Sequence, residues 1–135
     1  MMEKYLQSYS KLNTNIIYSF NYGQGGLGDY IKFFTLAIQL SIKNNEKIYY
    51  LKNNLPIEKY LPLKYDKMYI SKESMKKLDE YKMVDPSDYY KHFGEFGSPH
   101  FKNSYDKIYL PIKDVFEFSA EVISHSISLL PKNFK

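Results

Sequence analysis

The sequence predicts a three-layer α/β domain with a mainly parallel sheet, and three observations support that prediction. Residues 15–20 form an apolar run rich in β-favouring side chains, and residues 47–51 form a second. The segment between them places its apolar residues at helical spacing. A strand, a helix and a strand within about 37 residues are typical of one right-handed βαβ unit, whose two strands run parallel.

The composition limits the classes of protein to which the chain belongs. Its 135 residues indicate one domain with a modest core, and the absence of cysteine excludes disulfides and thiolate metal sites. The basic residues are all lysines and are scattered, so a nucleic-acid partner is not expected. No run approaches the roughly 20 apolar residues that span a bilayer, and residues 1–13 lack the apolar core of a signal peptide. A soluble, cytoplasmic protein is therefore predicted.

The first predicted elements surround a glycine-rich turn. Residues 1–14 are predicted to be an N-terminal arm, either loose or a short helix, ahead of a domain at residues 15–135. After the first strand the chain carries four of its six glycines, namely Gly23, Gly25, Gly26 and Gly28. The helix that follows has an apolar stripe and ends at Asn44, because asparagine tolerates the left-handed conformation that closes helices.

The second half of the chain contains shorter predicted elements. Residues 53–63 are expected to form a loop with one helical turn, followed by strands at 67–70 and 82–84. Ser71 is a suitable N-cap for a helix over residues 72–81. Residues 85–106 show no periodicity, which is typical of a functional or mobile loop. A further strand is predicted at 107–112, and a last helix from Ser119 to Leu130.

The glycine turn is the predicted functional feature. A turn between a strand and a helix exposes backbone N–H groups that attract phosphate or another anion. Gly23, Gly25 and Gly28 fit the dinucleotide pattern G-x-G-x-x-G, but residues 52–54, where a ribose-binding acid is expected, are Lys-Asn-Asn. A dinucleotide site is therefore one alternative. Another is that the glycines only permit a tight turn and close packing.

The stretch GGLGDYIKFFTLAIQLSIKN, at residues 25–44, resembles the N-terminal domain of glycosyltransferases with two Rossmann-like halves. The fucosyltransferase superfamily, with turns of the type G-G-L-G-N-Q, is the family that it resembles most. Residues 114–123 and 129–131 look like the segment that leads out of the N-terminal half in fucosyltransferase-like proteins of large DNA viruses. The resemblance implies a Rossmann-like domain that is the N-terminal half of a GT-B architecture.

The resemblance also implies a substrate and a set of site residues. The donor would be a nucleotide sugar such as GDP-fucose, the acceptor a glycan or a protein, and neither a cofactor nor a metal is expected. Asp29 is the one acid in the turn and is the candidate catalytic base; capping of the helix is the alternative role. The remaining candidates are predicted to bind substrate, and they are Gly25, Gly26, Leu27, Gly28, Tyr30 and Lys32. Lys32 is otherwise expected to be a solvated side chain.

The sequence departs from the family pattern in two respects. Many members have Asn and Gln where this chain has Asp29 and Tyr30. The family's H-x-R-x-G-D motif, whose arginine contacts the donor phosphates, is missing, and the chain contains no arginine. We therefore expect an acceptor-side domain that is inactive alone and is completed by a C-terminal donor-binding half. Alternatives are a non-catalytic relative that binds a glycan or protein, and a domain that binds a nucleotide or dinucleotide.

The irregular loop at 85–106 carries two further alternatives. His92 and His100, with acids nearby, would supply ligands for a metal ion, although nothing in the sequence fixes their geometry. Its aromatic residues would form either a sugar-stacking rim or a satellite core beneath the loop.

Overall fold

The computed structural model describes residues 1–92 and 109–120, and within them it contains a four-stranded, all-parallel sheet. The strands are β1 (Thr14–Tyr18), β2 (Glu46–Leu51), β3 (Tyr69–Ile70) and β4 (Lys82–Val84), in the spatial order β3-β2-β1-β4. The helices are α1 (Met2–Gln7), α2 (Leu27–Lys43), α3 (Pro56–Tyr60), α4 (Lys72–Lys76) and α5 (Ile112–Val115). The predicted α/β class with a parallel sheet is confirmed.

The central strand β1 is covered on both faces. Ile17 and Tyr18 point to opposite sides of the sheet, and both are fully buried. On one side α2 packs against the sheet, with the Phe34 ring 5.0 Å from that of Tyr18 and 5.2 Å from that of Tyr50. Burial on both faces explains why these strands read as continuous apolar runs rather than as alternating ones.

The N-terminal segment is packed on the domain and is not a loose arm. Of the two predictions for this segment, a loose arm or a short helix, the short helix is confirmed. The helix α1 and a 3-10 turn at Tyr9–Lys11 bury four side chains, those of Met2, Tyr5, Leu6 and Tyr9. The Tyr5 hydroxyl donates to the Glu46 carbonyl at 2.6 Å and accepts from the Ile48 amide at 2.9 Å. Residues 1–14 therefore belong to the same core as the predicted domain.

The strand predicted at 107–112 is wrong over its described part, residues 109–112. The backbone amides of Tyr109 and Leu110 donate to the side-chain oxygen of Gln39, at 2.6 and 2.8 Å, instead of to a neighbouring strand. Pro111 has no N–H to offer a sheet and precedes the first residue of α5. Because these two amides are bonded to Gln39 of α2 and Pro111 cannot donate, residues 109–112 do not form a strand.

The helix predicted over 72–81 is shorter than expected. Ser71 caps it as predicted, accepting from the Ser74 amide at 3.1 Å, but α4 ends at Lys76 and buries no residue. A helix without a buried face gains little from packing, so it stops after five residues. The start of the irregular loop forms a 3-10 helix at Pro86–His92. The rest of that loop and the predicted last helix beyond residue 120 lie outside the described residues.

Tyrosines fill much of the core, and one of them lacks a hydrogen-bond partner. Within residues 1–92 and 109–120, the hydroxyl of Tyr18 is the one buried side-chain polar atom that makes no hydrogen bond. Burial raises its pKa well above the ordinary value, which keeps the phenol neutral. Tyr30 is buried to the same extent, but its hydroxyl donates to the Leu61 carbonyl at 2.9 Å.

We expect Tyr18→Phe to leave the free energy of unfolding unchanged or to raise it by about 1 kcal/mol, because it removes an unsatisfied buried hydroxyl. Tyr30→Phe is the matched control and should lower the free energy of unfolding by about 1–2 kcal/mol, because it leaves the Leu61 carbonyl unpaired. Urea unfolding followed by circular dichroism measures both. A loss of stability in Tyr18→Phe as large as that in Tyr30→Phe would contradict the assignment.

Candidate functional site

The glycine turn lies at the carboxyl end of β1, where ligands of open parallel sheets bind. The turn is closed by two hydrogen bonds: the Asn21 amide donates to the Gln24 side-chain oxygen at 2.7 Å, and the Gln24 amide donates to the Asn21 carbonyl at 3.2 Å. Gly23 and Gly25 have φ angles of +86° and +135°. These angles lie in the region that side-chain-bearing residues rarely adopt, so two of the glycines are required by the backbone path.

Asp29 packs directly against Gly25. A Cβ atom added at Gly25 would lie 2.6 Å from the Cβ of Asp29 and would also meet its carboxylate. The side chain of Asp29 is 28% exposed and belongs to the first turn of α2. The turn thus wraps around the acid that the sequence singled out as a candidate base.

Lys32 lies one helical turn after Asp29 and is paired with it. Its Nζ is 3.4 Å from an oxygen of Asp29, and its side chain is 4% exposed. The expectation of a solvated lysine is therefore wrong. The pair is electrically neutral, and the carboxylate occupies the positive end of the α2 dipole. Because Asp29 already occupies the positive end of the helix dipole, and Lys32 is paired with Asp29, the turn offers a second anion no uncompensated positive charge.

The other predicted residues separate into a surface group and a core group. Gly26 precedes α2 as its N-cap, and Leu27 and Gly28 begin the helix; all three are exposed. Tyr30 lies below them with its ring against Phe20, at 5.6 Å between centroids, and its side chain is fully buried. The structure brings residues 25–29 together at the surface, whereas the side chain of Tyr30 is part of the core and does not reach a surface ligand.

A groove of about 240 Å³ opens beside the turn. One wall is the segment after β1 and the other is the start of α3. Its lining residues are Phe20, Asn21, Tyr22, Gly23, Gly25, Leu55, Pro56 and Ile57. Tyr22 is 89% exposed at its rim, and no lining residue carries a charge. Asp29 is not among the lining residues and lies behind Gly25.

A polar network, buried at Glu58 and partly buried at Asn53, connects the two walls of the groove. The side-chain amide of Asn53 donates to the Ser19 hydroxyl and to the Phe20 carbonyl, both at 2.7 Å. The carboxylate of Glu58 accepts from the Tyr50 hydroxyl at 2.6 Å, and also from the backbone amides of Asn53 at 3.0 Å and Leu55 at 2.8 Å. The segment after β2 is thereby held against the end of β1.

Sequence reasoning missed both anchors of this network. Asn53 was considered only as the absence of a ribose-binding acid. Glu58 lies two residues after Pro56, which is the pattern of an acid in the first turn of a helix that begins at proline. That signal was available for a helix start, but not for the burial of the carboxylate.

The chain matches no protein-family model, and comparison with curated proteins and with solved structures gives no significant match. Across the described residues, no helix is long and apolar enough to cross a membrane. The same part of the chain contains no group of three or more His, Asp or Glu side chains placed to hold a metal ion. His100, one of the two histidines of the metal alternative, lies outside it.

Proposed function

We propose that this domain is the acceptor side of a fucosyltransferase-like glycosyltransferase. It would take part in moving fucose or a related sugar from a nucleotide-sugar donor, such as GDP-fucose, to a glycan or protein. The observation that carries the proposal is the uncharged groove at the carboxyl end of β1, with an exposed Tyr22 on its rim and Asp29 behind its glycine wall.

The chemistry of the groove suits a neutral sugar. The ring of Tyr22 and the apolar atoms of Pro56 and Ile57 offer surface to the C–H face of a pyranose. Exposed backbone groups of the turn offer hydrogen bonds to its hydroxyls. A phosphate has the opposite requirement, because it needs donors and positive charge where Asp29 places a carboxylate.

In the proposed reaction, the acceptor oxygen forms a bond to the anomeric carbon and the nucleoside diphosphate leaves. Asp29 takes the proton of the acceptor hydroxyl as general base, and the ammonium of Lys32, 3.4 Å away, compensates its charge. The donor phosphates would be bound by a C-terminal donor-binding half, since this chain has no arginine to clamp them.

A non-catalytic relative that only binds a saccharide is the second candidate. It is favoured by the position of Asp29, which is paired with Lys32 and lies behind Gly25 rather than in the wall of the groove. A dinucleotide site is disfavoured, because the pyrophosphate would meet the Asp29 carboxylate at the start of α2.

The binding step is tested on the 135-residue chain by NMR titration with a neutral fucosylated or galactose-containing oligosaccharide. We expect saturable shifts of the amides of residues 20–25 and 55–57, with a Kd on the order of 1 mM. Tyr22→Ala should weaken binding by roughly tenfold, the effect of losing one aromatic contact of about 1.4 kcal/mol. Tyr109→Ala, an exposed tyrosine outside the groove, is the matched control and should bind normally.

Transfer by the wild-type domain with a donor half separates the two candidates, and Asp29→Asn then tests the role of the acid. Loss of a general base should reduce transfer by about 10²–10⁴-fold while saccharide binding stays within about twofold. Unchanged transfer would remove Asp29 from the reaction. Tight binding of NAD(P)H without any saccharide binding would reject the proposal as a whole.

A further inference from the structure

The two walls of the groove follow two neighbouring strands of the parallel sheet. Phe20 lies two residues after the end of β1, and Leu55 lies four residues after the end of β2. The paired register of these strands ends at Tyr18 and Tyr50. The walls extend past the last paired residues, so the sheet itself does not fix the distance between them.

Asn53 bridges the two walls at this point. Its side-chain amide donates to the Ser19 hydroxyl and to the Phe20 carbonyl, both at 2.7 Å. An amide NH₂ group has two hydrogens, and both are used here. Asn53 is not among the residues that line the groove. It therefore affects a ligand by holding the residues that do line it.

Glu58 fixes the position of Asn53 in turn. The backbone amide of Asn53 donates to the two carboxylate oxygens at 3.0 and 3.1 Å, and the amide of Leu55 donates to one of them at 2.8 Å. Glu58 is 4% exposed, so water does not compete effectively for these bonds. One lining residue of each wall, Phe20 on one side and Leu55 on the other, is thereby tied to Asn53 and Glu58.

We propose that Asn53 is a positioning residue for saccharide binding. It sets the distance between the wall that carries Tyr22 and the wall that begins at Leu55, so that both contact one sugar ring at the same time. The inference rests on the function proposed for the groove and adds a residue that acts on the ligand through Phe20. A groove whose walls are fixed before binding does not have to be ordered by the ligand, and this raises the affinity.

The test is an NMR titration of the Asn53→Ala chain with the galactose-containing oligosaccharide used for the wild-type chain. We expect the Kd to rise about tenfold, the effect of losing about one net hydrogen bond. The backbone amide at position 53 still donates to Glu58, so the segment after β2 stays in place. The free variant should show changed amide shifts at residues 20–25 and 55–57, a signature of moved walls that does not depend on the ligand.

Three further variants separate positioning from stability. Ser19→Ala removes one of the two acceptors and should raise the Kd about threefold. Asn15→Ala is the matched asparagine control, because its side-chain amide donates to the Glu80 carbonyl at the opposite end of β1. Tyr9→Phe removes a buried hydrogen bond to the Ile48 carbonyl, and neither residue lines the groove. Both controls should bind the saccharide with the wild-type Kd, although Tyr9→Phe lowers the midpoint of urea unfolding.

Two results would overturn the positioning role. The first is a Kd for Asn53→Ala within about twofold of the wild-type value. The second is an equal loss of affinity in Tyr9→Phe, which would make stability the cause. If Asn53→Ala does not fold, Ser19→Ala decides the question, since an unchanged Kd in that variant also rejects the role. Absence of saccharide binding by the wild-type chain would reject the function proposed for the groove together with this role, whereas normal binding by Asn53→Ala rejects the role alone.

Discussion

Glu58→Ala is expected to lower the free energy of unfolding by about 3–5 kcal/mol, because it leaves one buried and two partly buried donors without an acceptor. The amides of Asn53 and Leu55 and the hydroxyl of Tyr50 all donate to this carboxylate. Each unsatisfied buried donor costs about 1–3 kcal/mol, and the lost side chain leaves space that water fills only in part. For a domain of this size, that is a large share of the total stability.

Urea unfolding of three variants distinguishes the loss of the hydrogen bonds to Glu58 from the loss of a negative charge. Glu58→Gln keeps one carbonyl oxygen in place and should lose about half as much stability as the alanine variant, because its NH₂ group faces donors. Glu73→Ala removes an exposed acid from the first turn of α4 and should change stability by no more than about 0.5–1 kcal/mol. A loss below 1 kcal/mol in Glu58→Ala would show that the segment after β2 is held by other contacts.

Glu58→Ala is also expected to have a local effect on the segment after β2. Asn53 connects the segment after β2 to the end of β1 through the Ser19 hydroxyl and the Phe20 carbonyl. When Glu58 is lost, Asn53 keeps these bonds but loses the acceptor for its backbone amide. One wall of the groove begins at Leu55, so this wall is expected to loosen before the sheet does.

The elements with strong periodicity were predictable from sequence, and the reason is physical. The first strand, the glycine turn, α2 and β2 each satisfy a local rule of composition or spacing, so neighbouring residues alone determine them. The segment at residues 109–112 is instead determined by a distant contact. The side chain of Gln39 accepts hydrogen bonds from Tyr109 and Leu110, about 70 residues away. No local pattern signals such a contact, and the strand predicted at 107–112 was wrong over its described residues, 109–112, for this reason.

The candidate site was predictable as a turn but not as a set of side-chain roles. Tyr30 was selected by its place in a motif, although its spacing to Phe33, Phe34 and Ala37 is that of the buried stripe of α2. That periodicity was available and indicates the core. Lys32 gives no such signal, because a lysine beside Phe33 is solvated or buried depending on packing and on the ion pair with Asp29.

Three glycine-to-alanine variants are expected to change the free energy of unfolding by different amounts and in different directions. The change depends on the φ angle of each glycine and on the space around the added methyl group. Gly28→Ala lies in α2 with open space around the added methyl, so it should raise stability by up to about 1 kcal/mol. Gly23→Ala has open space but a φ of +86°, and should lower stability by about 1–2 kcal/mol. Gly28→Ala thus measures the gain in helix propensity, and Gly23→Ala measures the cost of a side chain at a positive φ angle.

Gly25→Ala combines backbone strain with a steric conflict and should lower stability by about 3 kcal/mol or more. Its φ of +135° disfavours any side chain, and the new methyl would lie 2.6 Å from the Cβ of Asp29, which cannot rotate away. Asp29→Gly removes that Cβ, so part of the loss should be recovered when Gly25→Ala is made in that background. A double-mutant cycle by urea unfolding measures this coupling. A coupling near zero, with Gly25→Ala no worse than Gly23→Ala, would mean that the turn does not pack against Asp29.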